Sequence, residues 1–149
     1  KGEADEAFVA MVLKDPWFDQ QPPKSLDRND FHGLIDRLEM LSDEDSAATL
    51  TAIAAASVAA AQIHFPAPVT RILVTGGGRH NPSLMAELRR RIPIRIDPVE
   101  VVGLDGDMLE AQAFAFLAVR VLRKMATSGP DTTRAPALVG GGQISRPDP

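Results

Sequence analysis

Apolar residues recur along the chain in runs that switch between helical and extended spacing, and the switches outline the elements. Ala7, Phe8, Met11 and Val12 share one face of a short helix that should stop before Asp15-Pro16. Pro16 to Arg28, rich in proline and polar residues, reads as an ordered loop. Phe31, Leu34, Ile35, Leu38 and Leu41 return at helical spacing. Ser42 followed by Asp45 is an acidic variant of the capping box and should open a helix to about Ile63. That helix is alanine-rich, with Leu50, Ile53, Ala54, Val58 and Ala61 on one stripe and small side chains that permit close packing on a sheet. Pro66 and Pro68 end it before a short strand at Arg71–Thr75, in which Ile72, Leu73 and Val74 read as buried.

The second half continues the alternation. A helix runs from Pro82 to about Arg91, and Ile94, Ile96, Val99, Val101 and Val102 read as one strand broken at Pro98. Gly103 to Asp107 is a turn, and a long helix follows to about Met125. Its stripe is Phe114, Leu117, Ala118, Val121, Leu122 and Met125. Ala113, Ala115, Phe116 and Val119 add apolar surface, so this helix should be buried on more than one side, with Phe114 and Phe116 in the core. The tail from Ser128 has no periodicity, and the chain has no internal repeat. Strand, helix, strand, helix at the centre predicts an α/β fold with helices on a short mixed sheet. A two-stranded sheet rarely stands alone, so these strands want partners.

Between the first strand and its helix lies Val74-Thr75-Gly76-Gly77-Gly78-Arg79-His80-Asn81-Pro82. Glycines allow a tight turn and close approach of the backbone to a ligand. Asn81 suits a helix N-cap and Pro82 the first helical position. A strand feeding glycines and a helix start is a common nucleotide seat, and equally a plain strand–helix turn. The spacing is neither a dinucleotide fingerprint nor a P-loop. That, with no identifiable ribose-binding acidic residue, counts against a Rossmann-type oxidoreductase.

Bulk properties narrow the classes. The 149 residues fit one domain, 44% of them hydrophobic and 24% charged. Sixteen basic against 20 acidic residues give a net charge of −4, which argues against a general nucleic-acid binder. With no cysteine and three scattered histidines, neither disulfides nor a zinc centre is expected, and the composition fits a reducing cytosol. No apolar run reaches the roughly 18 residues of a membrane span, and the N-terminus lacks a signal-peptide shape. The chain begins at Lys1 with no initiator methionine, as a piece of something longer would.

Four segments carry a family resemblance. Gly76-Gly77-Gly78-Arg79-His80-Asn81-Pro82-Ser83-Leu84-Met85 resembles the GGGxxNPxLM motif of anhydro-N-acetylmuramic acid kinases. The run from Gly103-Leu104-Asp105-Gly106-Asp107-Met108-Leu109-Glu110 to Ala118 is similar to another motif of that family. Pro22-Pro23-Lys24-Ser25-Leu26-Asp27-Arg28-Asn29-Asp30-Phe31 resembles its PPKSTGRxxF segment, and Thr132-Thr133-Arg134-Ala135-Pro136 its TTGxP element. The resemblance covers the family's C-terminal portion. It implies an actin-like ATPase (ribonuclease H-like) domain of the sugar-kinase and Hsp70 superfamily, with residues 1–149 holding the nucleotide side of a two-domain kinase. Residues 1–42 would be a helix–loop–helix lead-in, 43–125 the α/β core and 126–149 a tail. The implied reaction uses ATP, Mg²⁺ and water to open the 1,6-anhydro ring of anhydro-N-acetylmuramate and phosphorylate its 6-hydroxyl, in recycling of peptidoglycan in the bacterial cytoplasm. A homodimer is implied as well. The family's phosphate loop and catalytic-aspartate segment have no counterpart here, so no catalytic residue is assigned and the isolated chain should not turn over. Leu26-Asp27 replaces Thr-Gly, and Arg134 stands at a glycine position, so those turns should be built differently.

The candidate residues follow from the resemblance. Gly76, Gly77 and Gly78 would lie against the adenosine and inner phosphates, and Asn81 would cap its helix, contact the ligand, or both. Arg79 and His80 either flank the nucleotide or belong to a solvated turn. Glu110 reads as the far end of a capping box begun at Asp107, or as a hydrogen-bonding partner of a sugar hydroxyl. Lys24, Ser25 and Arg28 are candidate anion contacts, against the reading of a loop pinned by ordinary surface charges. Arg89-Arg90-Arg91 suits the C-terminal end of a helix dipole, and Asp105 and Asp107 are caps rather than metal ligands. The alternative to the kinase is a non-catalytic, chaperone-like ATP-binding or interaction module of the same superfamily.

Overall fold

The computed structural model describes residues 2–27, 30 and 33–145. The chain divides into two compact units, Lys1–Gly106 and Asp107–Pro149.

The first unit is built around one helix. Ser42 caps α3 (Asp43–Ala60), its side chain accepting the Asp45 N–H at 3.2 Å, while Asp45 Oδ1 accepts the Glu3 N–H at 2.7 Å. A 3₁₀ turn at Ala61–His64 extends α3. The stripe expected from the sequence does not form. Leu50, Ala54, Val58 and Ala61 are exposed, and burial falls on Thr49, Ala52, Ile53, Ala55 and Ala56. Alanine lets a helix pack closely on two sides, so α3 serves two cores instead of presenting one stripe. On one side, α1 (Glu6–Val12) contributes Phe8, Val9 and Val12, which meet Phe18, Ala52, Ile53 and Ala56. Ala7 and Met11, expected on that face, are exposed. Thr49, fully buried, accepts the Asp5 N–H on its hydroxyl at 3.0 Å. Of the longer helix expected there, the described residues show the short helix α2 (Ile35–Leu38), preceded by 3₁₀ residues Gly33 and Leu34, and Phe31 lies outside the described residues.

The other side of α3 faces the sheet. Strands β1 (Arg71–Val74) and β2 (Arg95–Pro98) pair in parallel, Arg71 opposite Arg95 through Val74 opposite Pro98. The sheet is therefore purely parallel, not mixed. The helix α4 (Pro82–Arg91) crosses between its strands, and Met85, Leu88, Ile92 and Ile96 pack with Ala55. Ile72 and Val74 are half-buried while Leu73 is exposed, so β1 alternates instead of being buried throughout. Beyond Pro98 the expected strand becomes a 3₁₀ turn, Val99–Val102, closed by Gly103 at φ +78. Arg90 and Arg91 pair with Glu87 on their own helix and with Glu6 of α1, at 2.6 to 3.0 Å. These guanidiniums hold the Glu6 and Glu87 carboxyls below their ordinary pKa range.

The second unit carries α5 (Leu109–Leu122) and the short α6 (Pro130–Thr133). No residue of α5 is buried; Phe114 and Phe116, expected in the core, are 65% and 61% exposed. The helix stops before the expected Met125 because Lys124 turns left-handed at φ +55. Its N–H bonds Val121 O at 3.0 Å and the Met125 N–H bonds Arg120 O at 2.8 Å, the double closure of a Schellman motif. Arg134 likewise ends α6 left-handed, φ 58 and ψ 21, the conformation glycine takes at least cost.

By length and composition Asp43–His64 is long and apolar enough to cross a membrane, contrary to the reading of the sequence. Its side chains buried against α1 and α4 make it the central helix of its unit.

Candidate functional site

Parallel strands leave their carboxyl ends on one edge, where open α/β sheets bind ligands. Here β1 runs into Thr75 and the glycine turn, while β2 runs through Val99–Val102 into Gly103–Gly106. The two exits are bonded to each other: the Gly76 N–H reaches Gly106 O at 3.2 Å, and the Thr75 hydroxyl donates to the same oxygen at 3.1 Å.

Gly76 sits at φ 73, ψ 178, a region open essentially to glycine alone. Gly77–His80 then forms a 3₁₀ turn. A Cβ added at Gly76 or Gly77 would meet nothing within 4 Å, and one at Gly78 would meet only Leu84 Cδ2, at 3.2 Å. All three glycines are exposed, so their face is open space that a ligand could fill. Asn81 caps α4 as expected, its Oδ1 accepting the Ser83 and Leu84 N–H groups at 3.0 and 3.2 Å. It also lines a groove of about 630 Å³ beside the starts of α3 and α4.

Arg79 is buried and so is not part of a solvated turn. Its side chain is 4% exposed, with Nε donating to Glu100 Oε1 at 2.7 Å and an Nη donating to Gly76 O at 2.9 Å. Glu100 Oε1 also accepts the Gly106 N–H at 3.3 Å. The Glu100 carboxyl is held below its ordinary pKa, first by its own backbone N–H and then by Arg79. A motif position that varies within the family pattern gave no hint of this ion pair. The usable signal was the glycine at 106, which leaves room for a guanidinium. His80 stays exposed.

The remaining candidates belong to other segments of the chain. Lys24 Nζ donates to Trp17 O at 2.8 Å and Phe18 O at 2.7 Å and stands over the Trp17 ring. Ser25 O accepts the Trp17 indole N–H at 2.8 Å, so both residues fasten the loop. Arg28 lies outside the described residues. Glu110 is exposed in the first turn of α5, whose N-cap is Met108 rather than the expected Asp107. Among the described residues no three His, Asp or Glu side chains gather as a metal site would need.

The sequence model of the family described as "Anhydro-N-acetylmuramic acid kinase" matches residues 1–146. A protein of that name from Cereibacter sphaeroides is 59% identical over 148 residues, 99% of this chain and 40% of the relative. One from Ruegeria sp. is 53% identical over 147 residues, 99% of this chain and 39% of the relative. One from Acidiphilium cryptum is 50% identical over 149 residues, covering 41% of its length. The chain thus spans about two fifths of the length of the curated relatives it matches.

Proposed function

Because this chain belongs to the anhydro-N-acetylmuramic acid kinase family, we propose that it forms the nucleotide side of a kinase that uses ATP and water to open anhydro-N-acetylmuramate and phosphorylate its 6-hydroxyl. The observation that carries this reading is the glycine turn at the carboxyl edge of the parallel pair, open where a Cβ at Gly76 or Gly77 would stand. A nucleotide can approach that backbone closely. Gly76, Gly77 and Gly78 face the adenosine and inner phosphates, and Asn81 orients the first turn of α4 beside them. Glu110, exposed in the first turn of α5, hydrogen-bonds a sugar hydroxyl. Lys24 and Ser25 serve the loop first, and any anion contact there would fall to Arg28.

Catalysis in this reading is positioning and charge stabilisation at the γ-phosphoryl. The aspartate base and the Mg²⁺ ligands come from the part of the enzyme this chain does not span, which is why the chain by itself does not turn over. The domain is the C-terminal part of an actin-like ATPase, and the enzyme works as a homodimer in the bacterial cytoplasm, in peptidoglycan recycling. Relatives named as kinases weigh for this over a non-catalytic module.

The test is ADP release with anhydro-N-acetylmuramate, on the full-length parent and on this chain, with Gly77→Ala as the diagnostic variant. The parent phosphorylates the sugar and the chain does not. Since Gly77 has space for a methyl group, Gly77→Ala raises the ATP KM only if nucleotide occupies that space. A parent inert towards the sugar, or an unchanged ATP KM in Gly77→Ala, would overturn the kinase or the cradle respectively.

A further inference from the structure

We propose that Arg79 is a positioning residue for the nucleotide-facing turn: its buried guanidinium, anchored on Glu100 and housed over Gly106, fixes Gly76 in its glycine-only conformation. The inference rests on the reading of Gly76–Gly78 as a nucleotide cradle and adds the part that holds the cradle in shape.

Three observations converge. The Gly76 carbonyl receives both the Arg79 backbone N–H, at 3.2 Å, and an Nη of the same residue, at 2.9 Å. One residue thereby fixes the peptide plane that leads into the open glycines. The other edge of the guanidinium meets Glu100 Oε1 at 2.7 Å, and that oxygen also takes the Gly106 N–H. The loop is closed by the Gly76 N–H on Gly106 O. A Cβ at residue 106 would stand 2.4 Å from Arg79 Nε and 2.7 Å from Cζ, so the guanidinium has its place because residue 106 is glycine. Charge-assisted, forked hydrogen bonds give direction as well as strength, which a turn needs if its backbone is to meet a ligand. The pair is asymmetric: Arg79 is 4% exposed but Glu100 is 45% exposed. Removing the guanidinium therefore leaves the Glu100 carboxylate where water can reach it.

The experiment uses the full-length parent, as wild type, Arg79→Met, Arg79→Lys and Gly106→Ala. It combines steady-state kinetics for ATP and for the sugar with hydrogen–deuterium exchange over residues 75–80. Arg79→Met, near in volume but without the fork, raises the ATP KM about 10- to 100-fold. The sugar KM, and kcat at saturating ATP, stay within about twofold. Exchange rises at the turn and not in α3. Gly106→Ala reproduces the pattern by expelling a guanidinium it does not alter chemically. Arg79→Lys, which keeps the charge but not the fork, falls between, and these two variants carry the test if Arg79→Met does not fold. Wild-type exchange at the turn in a folded Arg79→Met or Gly106→Ala protein overturns the proposal whatever the activity. Raised exchange with an unchanged ATP KM leaves the clamp standing and sinks the reading of the glycines as the cradle.

Discussion

Replacing Gly76 and Gly77 by alanine, one at a time, separates backbone strain from free space. Neither new methyl group meets an atom within 4 Å, so sterics beyond the local backbone do not enter. Gly76 lies at φ 73, ψ 178, where a residue bearing Cβ costs about 1–3 kcal/mol. Gly77 opens a 3₁₀ turn with φ outside the positive range. There alanine narrows the unfolded ensemble and stabilises by about 0.4–1 kcal/mol. The two variants should therefore differ by about 1.4–4 kcal/mol, with opposite signs relative to wild type. Urea unfolding of the protein that carries this chain reads the difference as midpoints shifted in opposite directions at constant slope. Equal shifts, or a Gly76→Ala midpoint at the wild-type value, would refute the assignment of strain to this one residue.

Other expectations follow from the same geometry. Asn81→Ala removes the acceptor of two α4 N–H groups and should cost about 1 kcal/mol, whereas Asn81→Ser keeps most of it; equal losses in urea titrations would argue that capping is not the role. Lys124→Gly and Arg134→Gly each relieve a left-handed residue and should stabilise by about 1 kcal/mol, read as a raised melting temperature. Asp5 bonds Arg37 at 2.9 Å and the Phe8 N–H, and these, Arg37 foremost, hold its carboxyl below its ordinary pKa. A depressed folded pKa contributes stability above the unfolded value of about 4 that is lost as pH falls through the folded one. Asp5→Asn should accordingly be less stable at neutral pH and lose less below pH about 4; parallel stability curves would count against the ion pair.

Local chemistry was legible wherever a single residue decides it. Ser42 and Asn81 cap the helices they were expected to cap, and the strand at Arg71 and the helix at Pro82 begin as expected. What periodicity could not supply was the number of partners per helix. Leu50, Ala54 and Val58 form the better stripe on paper, but α3 needs two small faces more than one large one, and they are left outside. Val99, Val101 and Val102 have the composition of a strand, yet Pro98 and the left-handed Gly103 confine them to one tight turn. The end of α5 turns on Lys124 accepting a conformation its side chain disfavours, which no pattern of apolar residues encodes. At the candidate site the open glycines and Asn81 could be read from type and spacing. The Arg79–Glu100–Gly106 clamp could not, since it joins residues on two separate exits of the sheet.

The alanine-rich helix has a consequence for what the chain can tolerate. Its composition makes it the least distinctive stretch of the sequence, the kind a reader passes over as filler. In space it is a party wall, with Ala52 against α1 and Phe18 on one side and Ala55 against α4 and the sheet on the other, both fully enclosed. A longer side chain at either position has no solvent to escape into and must push a whole neighbour outward. Damage on one side is then passed to the other, because one helix carries both the core beside Trp17 and the core beneath the strands that lead to the glycines. The residues that carry least information on the page are thus among those with least freedom to change.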